Sequence, residues 1–245
     1  MYKRQKWDDA IRKFEERHWL EDGVSAWSSP SFPVPKKRPG EIRVVVDYRE
    51  VNDATVTDAH PLPRIEDILT RQGRYRIWSV LDMKDGYHQV PLRKEDRHIT
   101  CMSTPRGTKQ WTVLVMGLKN AGAIFQRMME WVLQGMANVD VYIDDVIVGS
   151  SGDSMEELLA NHGRDLEAVM ERLKEHDLHV EPSKARLFME EVEFCGHMMK
   201  DGKRRPAPGK LLAIQKWECP EVITHLRGFL WLTNYYSGYV PLYAE

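Results

Sequence analysis

The sequence is poor in cysteine: Cys101, Cys195 and Cys219 are widely spaced and odd in number, with no Cys-x-x-Cys pair and no matching histidine spacing. That excludes a disulfide scaffold and a zinc finger, and the three read as reduced thiols. Long hydrophobic runs are also missing. Trp111 to Leu118 and Val139 to Ile143 are strand-sized, far short of the roughly 18 residues a membrane-spanning helix needs. The start, Met1-Tyr2-Lys3-Arg4-Gln5-Lys6, leads into a charged helical pattern and not into an apolar signal region. Neither an internal repeat nor a low-complexity tract is found. These absences point to an intracellular chain with no membrane partner. What is present suffices for folding, because 245 residues with 42% hydrophobic content can bury a large core as one domain or two or three subdomains.

An excess of positive charge is missing too. The net charge of -2 argues mildly against a nucleic-acid partner, which usually leaves a basic footprint. The charges are nevertheless segregated along the chain. Lys36, Lys37, Arg38, Arg43 and Arg49 lie in the first quarter, and Lys200, Lys203, Arg204, Arg205, Lys210 and Lys216 lie near the end. Between them, Asp140 to Glu193 is strongly acidic. Basic flanks around an acidic centre suit phosphate contacts around a cation-binding site.

The periodicities predict a helix over Trp7 to Leu20 stopped by Gly23, an extended or looping stretch from Pro30 to Gly40, and a β-branched strand from Ile42 to Tyr48. A short helix from Arg64 to Thr70, closed by Gly73, precedes a buried strand from Arg76 to Leu81. Trp111 to Val115 reads as a strand, followed by a helix with Ile124, Phe125, Met128, Met129, Val132, Leu133 and Met136 on one stripe. Val139 to Val148 reads as a hairpin with Asp144-Asp145 at its tip. Ser154 and Glu157 form a capping-box pattern opening a long helix through Leu158, Leu159, Leu166, Val169, Met170 and Leu173. A short strand over Glu193 to Met199 and two helices around Lys210 to Trp217 and Thr224 to Tyr236 complete the chain. Strands and helices mix without a regular βα rhythm, and the nearby strand pair is a hairpin. That favours α+β over a doubly wound sheet.

Asp82 ends one apolar strand, and Asp144 and Asp145 sit in a hairpin embedded in Val141, Tyr142, Ile143, Val146, Ile147 and Val148. Adjacent strands of one sheet would bring these carboxylates together. Gathered carboxylates repel unless a divalent cation neutralises them, and oxygen-only ligation selects magnesium or manganese. Two such ions about 3.5 to 4 Å apart serve phosphoryl transfer. By itself, however, an Asp-Asp pair also reads simply as a turn.

The surrounding residues carry a more specific pattern. Val80-Leu81-Asp82-Met83-Lys84-Asp85-Gly86-Tyr87-His88-Gln89 resembles the first catalytic motif of gypsy-type LTR-retrotransposon and retroviral reverse transcriptases. Tyr142-Ile143-Asp144-Asp145 resembles their YxDD hairpin. Between them, Gly117-Leu118-Lys119-Asn120-Ala121 with Phe125-Gln126-Arg127 is similar to the GLKNAPxxFQR segment. Trp27-Ser28-Ser29-Pro30 and Val46-Asp47-Tyr48-Arg49-Glu50-Val51-Asn52 match WxSP and VDYRxLN. Phe194-Cys195-Gly196-His197, then Leu226-Arg227-Gly228-Phe229-Leu230 with Asn234-Tyr235-Tyr236, resemble the primer-grip and thumb segments. YxDD alone is a weak signal. The ordered set, covering nearly the whole chain, is highly specific.

The resemblance implies an α+β right-hand polymerase of fingers, palm and thumb, with an antiparallel palm sheet backed by helices. Fingers would be residues 1–60 and 90–116, palm 61–89 and 117–199, and thumb with the start of the connection 200–245. It implies an RNA-directed DNA polymerase, a nucleotidyltransferase acting on dNTPs with an RNA or DNA template and primer, in the cytoplasm or a virus-like particle. Two magnesium ions, or manganese, would be held by Asp82, Asp144 and Asp145 with the Met83 carbonyl. Lys37 and Arg43 would meet the incoming triphosphate, with Arg38 an alternative to Lys37, since a point charge plus a guanidinium fork suits polyphosphate. Asp85 and Gly86 would offer backbone amides to phosphate. Tyr87 stands at the steric gate against a ribose 2'-OH, although an aromatic beside a buried strand is also ordinary core. Met116 would line the nucleotide floor, and Lys184 holds the place of a proton donor to pyrophosphate, or is a surface lysine. Tyr142, Cys195, Gly196, Arg227 and Trp231 would meet primer and template.

Several positions depart from the family's pattern. Val115-Met116 stands where Pro-Phe or Pro-Gln is usual, Gly122 replaces a proline, Cys195 a leucine, and Trp231 a small glycine. Val240-Pro241-Leu242-Tyr243-Ala244-Glu245 resembles the early segment linking thumb to connection, and no RNase H, protease or integrase segment is present. A part of a longer Pol polyprotein is therefore implied. The alternative is an inactive relic that binds primer-template without extending it. A viral RNA polymerase with the same palm is disfavoured by Tyr87 and by Tyr-Ile-Asp-Asp in place of Gly-Asp-Asp.

Overall fold

The computed structural model describes residues 2–35 and 41–243. In chain order the first elements are α1 (Tyr2–Glu16), β1 (Leu20–Asp22), β2 (Ser29–Pro35), β3 (Ile42–Val46), α2 (Arg49–Ala54), α3 (Ile65–Gln72) and β4 (Ile77–Asp82). Then come β5 (Met102–Thr104), β6 (Gly107–Trp111), α4 (Ala121–Val132), β7 (Val139–Tyr142), β8 (Asp145–Ser150) and α5 (Met155–Glu175). The last are β9 (Arg186–Met189), β10 (Glu191–Phe194), β11 (His197–Lys200), β12 (Lys203–Pro206), α6 (Pro208–Gln215) and α7 (Ile223–Tyr235). The chain forms two compact units, Met1–Leu62 with Lys84–Trp131 and Pro63–Met83 with Val132–Glu245.

The first unit is built on a five-stranded sheet in the order β1-β6-β5-β2-β3. Its pairs are antiparallel except β2 with β5, which run parallel. Ile11 of α1 packs with Leu20, Tyr48, Val51, Met102, Trp111 and Val115 in one buried cluster. The Tyr48 hydroxyl donates to the Thr100 carbonyl at 3.0 Å, which satisfies the one polar atom that this ring takes inside.

The second unit holds a four-stranded antiparallel sheet in the order β7-β8-β4-β9 and a three-stranded meander β10-β11-β12. Strand β4 reads as a continuous apolar run because both of its faces are covered: only Asp82, its last residue, is not fully buried. Trp78 and Val80 face a cluster with Ile68, Leu69, Ile147, Val192, Phe194 and Met199. Ser79 faces the other way, onto His162 of α5.

Four expectations are corrected. The first helix ends at Glu16, and Leu20 belongs to β1, paired with Trp111. His18 adopts φ 58°, its N–H reaches the Glu15 carbonyl at 2.9 Å and the Trp19 N–H reaches Phe14 at 2.9 Å. This is a Schellman cap with histidine where glycine is usual, so the glycine signal at Gly23 misled. The strand expected over Trp111 to Val115 lies instead at Gly107–Trp111. Glu193 to Met199 is two strands, turned at Cys195 and Gly196 with φ 47° and 78°. Two positive φ values make a type I′ hairpin. A further hairpin turns at Asp201-Gly202, also with both φ positive, although Asp-Gly is the strongest short-range hairpin signal. Finally, Ile124, Leu159 and Met170 are exposed, so the apolar stripes of α4 and α5 are narrower than their sequences suggest. Of Pro30 to Gly40, residues up to Pro35 form β2, and 36–40 lie outside the described residues.

Candidate active site

The hairpin β7–β8 turns at Ile143 and Asp144, and Ile143 carries φ 53°. A β-branched residue there is an outlier that costs on the order of 1–3 kcal/mol. Asp144 is the second residue of this turn. Its carbonyl accepts the Met83 N–H at 2.9 Å, which ties the turn to the end of β4. In the β4–β8 ladder Asp82 stands directly opposite Asp145, so the two carboxylates share one face of the sheet.

Three carboxylates at one sheet end repel each other. Burial, then the charges of Asp82 and Asp145, push the Asp144 carboxyl up to about 6. Asp145 is raised by burial and by Asp82, against the opposing pull of Arg186 and Lys184. The Lys184 ammonium donates to Asp82 Oδ1 at 2.7 Å, and this bond raises the lysine's own pKa. Asp144 Oδ1 is buried with no hydrogen-bond partner. A buried carboxylate oxygen left unpaired, facing two further carboxylates, fits a hard divalent cation. Among the described residues no three carboxylates, imidazoles or thiols close tightly enough to hold an ion by themselves.

Tyr142 ends β7 and packs on the core cluster together with Cys195. Burial, then Asp145, push the Cys195 thiol up to about 12, so it remains neutral at the turn of β10–β11. That turn is clasped from α7 and its end. Tyr235 donates to the Cys195 carbonyl at 2.7 Å, and Tyr236 donates to the Gly196 carbonyl at 3.1 Å. A Cβ on Gly196 would meet the Tyr236 hydroxyl at 2.8 Å, and its φ of 78° suits glycine in any case. Arg227 and Trp231 are exposed on α7, Trp231 stacking on Tyr235 with centroids 6.3 Å apart.

The remaining candidates belong to the first unit. Asp85 takes φ 51°, opens the short 3-10 turn Gly86–Gln89 and accepts from Arg17 at 3.2 Å. Gly86 is buried. The Tyr87 ring lies 5.4 Å from Phe125, tilted by 56°, and a Cβ on Gly122 would sit 3.8 Å from its hydroxyl. Met116 is 58% exposed, and Arg43 is exposed on β3 opposite Val34. Lys37 lies outside the described residues. The second unit thus gathers Asp82, Met83, Asp144, Asp145 and Lys184, while Arg43, Asp85, Gly86, Tyr87 and Met116 sit on the first.

Residues 34–199 match the family model described as reverse transcriptase (RNA-dependent DNA polymerase). The chain belongs to the reverse transcriptase family. It is 36% identical over 242 residues to the retrovirus-related Pol polyprotein from transposon 412 of Drosophila melanogaster, covering 96% of this chain and 19% of that protein. With the corresponding polyprotein of transposon gypsy it shares 33% over 243 residues, 94% of this chain and 23% of that one. The enzymatic polyprotein of Figwort mosaic virus is 35% identical over 222 residues, covering 89% of this chain and 32% of the relative. The chain therefore spans about a fifth to a third of these relatives. The foamy viral protease-reverse transcriptase solved in complex with dsDNA superposes with a TM-score of 0.87 at 26% identity, over 99% of this chain and 50% of that one. The α+β architecture with antiparallel sheets is that of the reverse transcriptase polymerase fold.

Within this reverse transcriptase family member, the residues that depart from the family's motifs are not buried ligands of the carboxylate cluster. Met116 and Trp231, 72% exposed, face outward, and a Cβ at Gly122 would come into ordinary van der Waals contact with the Tyr87 hydroxyl. Arg186, which stabilises the charge on Asp145, went unnoticed in the sequence. The signal was available, since it lies two residues beyond Lys184, but only the pairing of β9 with β4 brings it to the carboxylates. Among the described residues no helix is long and apolar enough to cross a membrane.

Proposed function

We propose that this chain carries the polymerase activity of a retrotransposon-type reverse transcriptase, extending a primer with dNTPs on an RNA or DNA template. The observation that carries it is the carboxylate end of the palm-like sheet: Asp82 opposite Asp145 in register, with the buried, unpaired Oδ1 of Asp144 between them in sequence at the turn. Asp82, Asp144, Asp145 and the Met83 carbonyl would hold two divalent ions, magnesium or manganese, which when bound stabilise charge on the attacking and leaving oxygens of nucleotidyl transfer.

The chain's own residues take the other roles. Lys184, kept protonated beside Asp82, holds a proton that a departing pyrophosphate can receive. Lys37 and Arg43 would bind the triphosphate, and the amides of Asp85 and Gly86 its oxygens. Tyr87, braced by Phe125, would exclude a 2'-hydroxyl, and Met116 would line the nucleotide floor. Tyr142, Cys195, Gly196, Arg227 and Trp231 would contact primer and template, the hairpin turn being held rigid by Tyr235 and Tyr236. The fingers, palm and thumb divisions at 1–60 with 90–116, 61–89 with 117–199, and 200–245 are part of this proposal, as are the further Pol domains as partners. The test is primer extension on poly(rA)/oligo(dT) with dTTP and magnesium. Extension supports the proposal. Tight binding of the primer-template with no extension would mark a relic.

A further inference from the structure

His162, fully buried in α5, connects three strands that the carboxylates do not explain. Its Nε2 lies 2.7 Å from Ser79 Oγ on β4, and its Nδ1 lies 2.8 Å from Ser150 Oγ on β8. Ser150 in turn donates to Asp165 Oδ2 at 2.5 Å, and Ser79 Oγ accepts the backbone N–H of Phe188 at 3.1 Å. These contacts admit one arrangement of protons that satisfies every group. Ser150 spends its proton on Asp165, so it accepts from His162 Nδ1–H. The bare Nε2 then accepts from Ser79, whose lone pair is free for Phe188. The opposite tautomer would leave the Ser79 proton without an acceptor among the described residues.

Phe188 is the point of interest. In β9, Trp78 faces Met189 and Val80 faces Arg186, so the single residue Ser79 stands against two, Leu187 and Phe188. This is a β-bulge, and Phe188 takes φ 54° within it, a conformation an aromatic residue rarely adopts. A regular ladder continuing from Trp78 and Met189 would set Arg186 against Leu81. The bulge sets it against Val80 instead, and a one-residue slip reverses the face on which a side chain lies. Val80 shares its face with Asp82, and Asp82 shares it with Asp145. The bulge therefore turns Arg186 to the carboxylate face, where its guanidinium donates to the Glu193 carbonyl at 2.6 Å and its charge acts on Asp145, next to the turn that delivers Lys184 to Asp82.

We propose that His162 is a positioning residue: as its Nδ1–H tautomer it orients Ser79 to hold the Phe188 bulge, which places Arg186 and Lys184 beside Asp145 and Asp82. Its bearing on catalysis rests on the reverse transcriptase activity proposed above, but its geometry does not. The ¹⁵N spectrum of the full chain at neutral pH should show a pyrrole-type Nδ1 and a pyridine-type Nε2 at His162. An Nε2–H tautomer overturns the proposal. In Ser79→Ala the Phe188 amide should exchange at least about tenfold faster, and Lys184 should acylate faster with an amine-directed reagent as its ion pair loosens. A folded Ser79→Ala protein with both rates unchanged also overturns it.

For primer extension, Ser79→Ala and His162→Asn should lower kcat about tenfold, and His162→Gln, whose amide oxygen can replace the Nε2 lone pair, should recover most of it. Adding Ser79→Ala to a variant that carries both Lys184→Ala and Arg186→Ala should cost nothing more, because Ser79 acts through those two cations. Multiplying effects would signal general destabilisation and sink the positioning role. Should the parent chain fail to extend any primer, the activity reading falls, while tautomer, amide exchange and acylation still decide whether His162 holds the bulge.

Discussion

Asp82 and Lys184, 102 residues apart in the chain, are joined by a 2.7 Å hydrogen-bonded ion pair at the end of β4. The ammonium lies on the one member of the carboxylate group that Asp145 faces directly across the ladder. It neutralises part of a charge that the fold has concentrated, and leaves Asp144 as the group with an unpaired buried oxygen.

Replacing Asp82 or Asp144 by Asn should lower primer extension by about a thousandfold or more while circular dichroism shows the fold intact, because each change removes charge that a two-ion site needs. Extension at the parent's rate by either variant would remove these residues from the site.

Asp144 should also mark the pH dependence of stability. Its folded-state pKa, about 6, lies above the ordinary carboxylate value, so between about 4 and 6 the folded chain binds more protons than the unfolded one. Stability from this group is therefore present below the unfolded value and lost as pH rises through 6. In chelator, the melting temperature of Asp144→Asn should rise relative to the parent over that window and stay higher above it. Millimolar magnesium should narrow the gap at pH 7. A difference that does not vary with pH would show that the carboxyl titrates normally.

Tyr87→Ala should open space for a ribose 2'-hydroxyl and shift the ratio of kcat/KM for dNTP over rNTP toward ribonucleotides by about tenfold or more. Loss of activity toward both substrates in equal measure would mean that the ring serves only to pack on Phe125.

Primer-template affinity should fall steeply between 50 and 200 mM salt, since the basic clusters at either end of the sequence would release counterions from phosphates. Arg204→Ala combined with Arg205→Ala should flatten the slope of log K against log salt by roughly one to two. A slope unaffected by these changes would place them away from the nucleic acid; Arg205 already has a partner in Glu191.

Local chemistry made much of this chain legible. The apolar run that ends at Asp82, the hairpin around Asp144-Asp145 and the Ser154 cap, whose Oγ accepts the Glu157 N–H at 3.1 Å, are short-range features, each written in a few neighbouring residues. Turns that place an unusual residue in the left-handed region were not legible: His18 at the end of α1 and Cys195 at the β10–β11 turn adopt conformations that favour glycine and asparagine. The tertiary fold holds them there through backbone bonds and aromatic contacts from elsewhere in the chain.

The sequence by itself determined which residues carry charge at the centre, in what order, and hence the family. Only the tertiary structure decided that Asp82 stands in register with Asp145, that Lys184 closes on Asp82, and that a buried histidine reaches across β4 and β8 to a bulge in β9. Strand register sets those outcomes. A shift of one residue leaves the composition and periodicity of each strand unchanged but turns every side chain to the opposite face, so only the pairing itself can fix them.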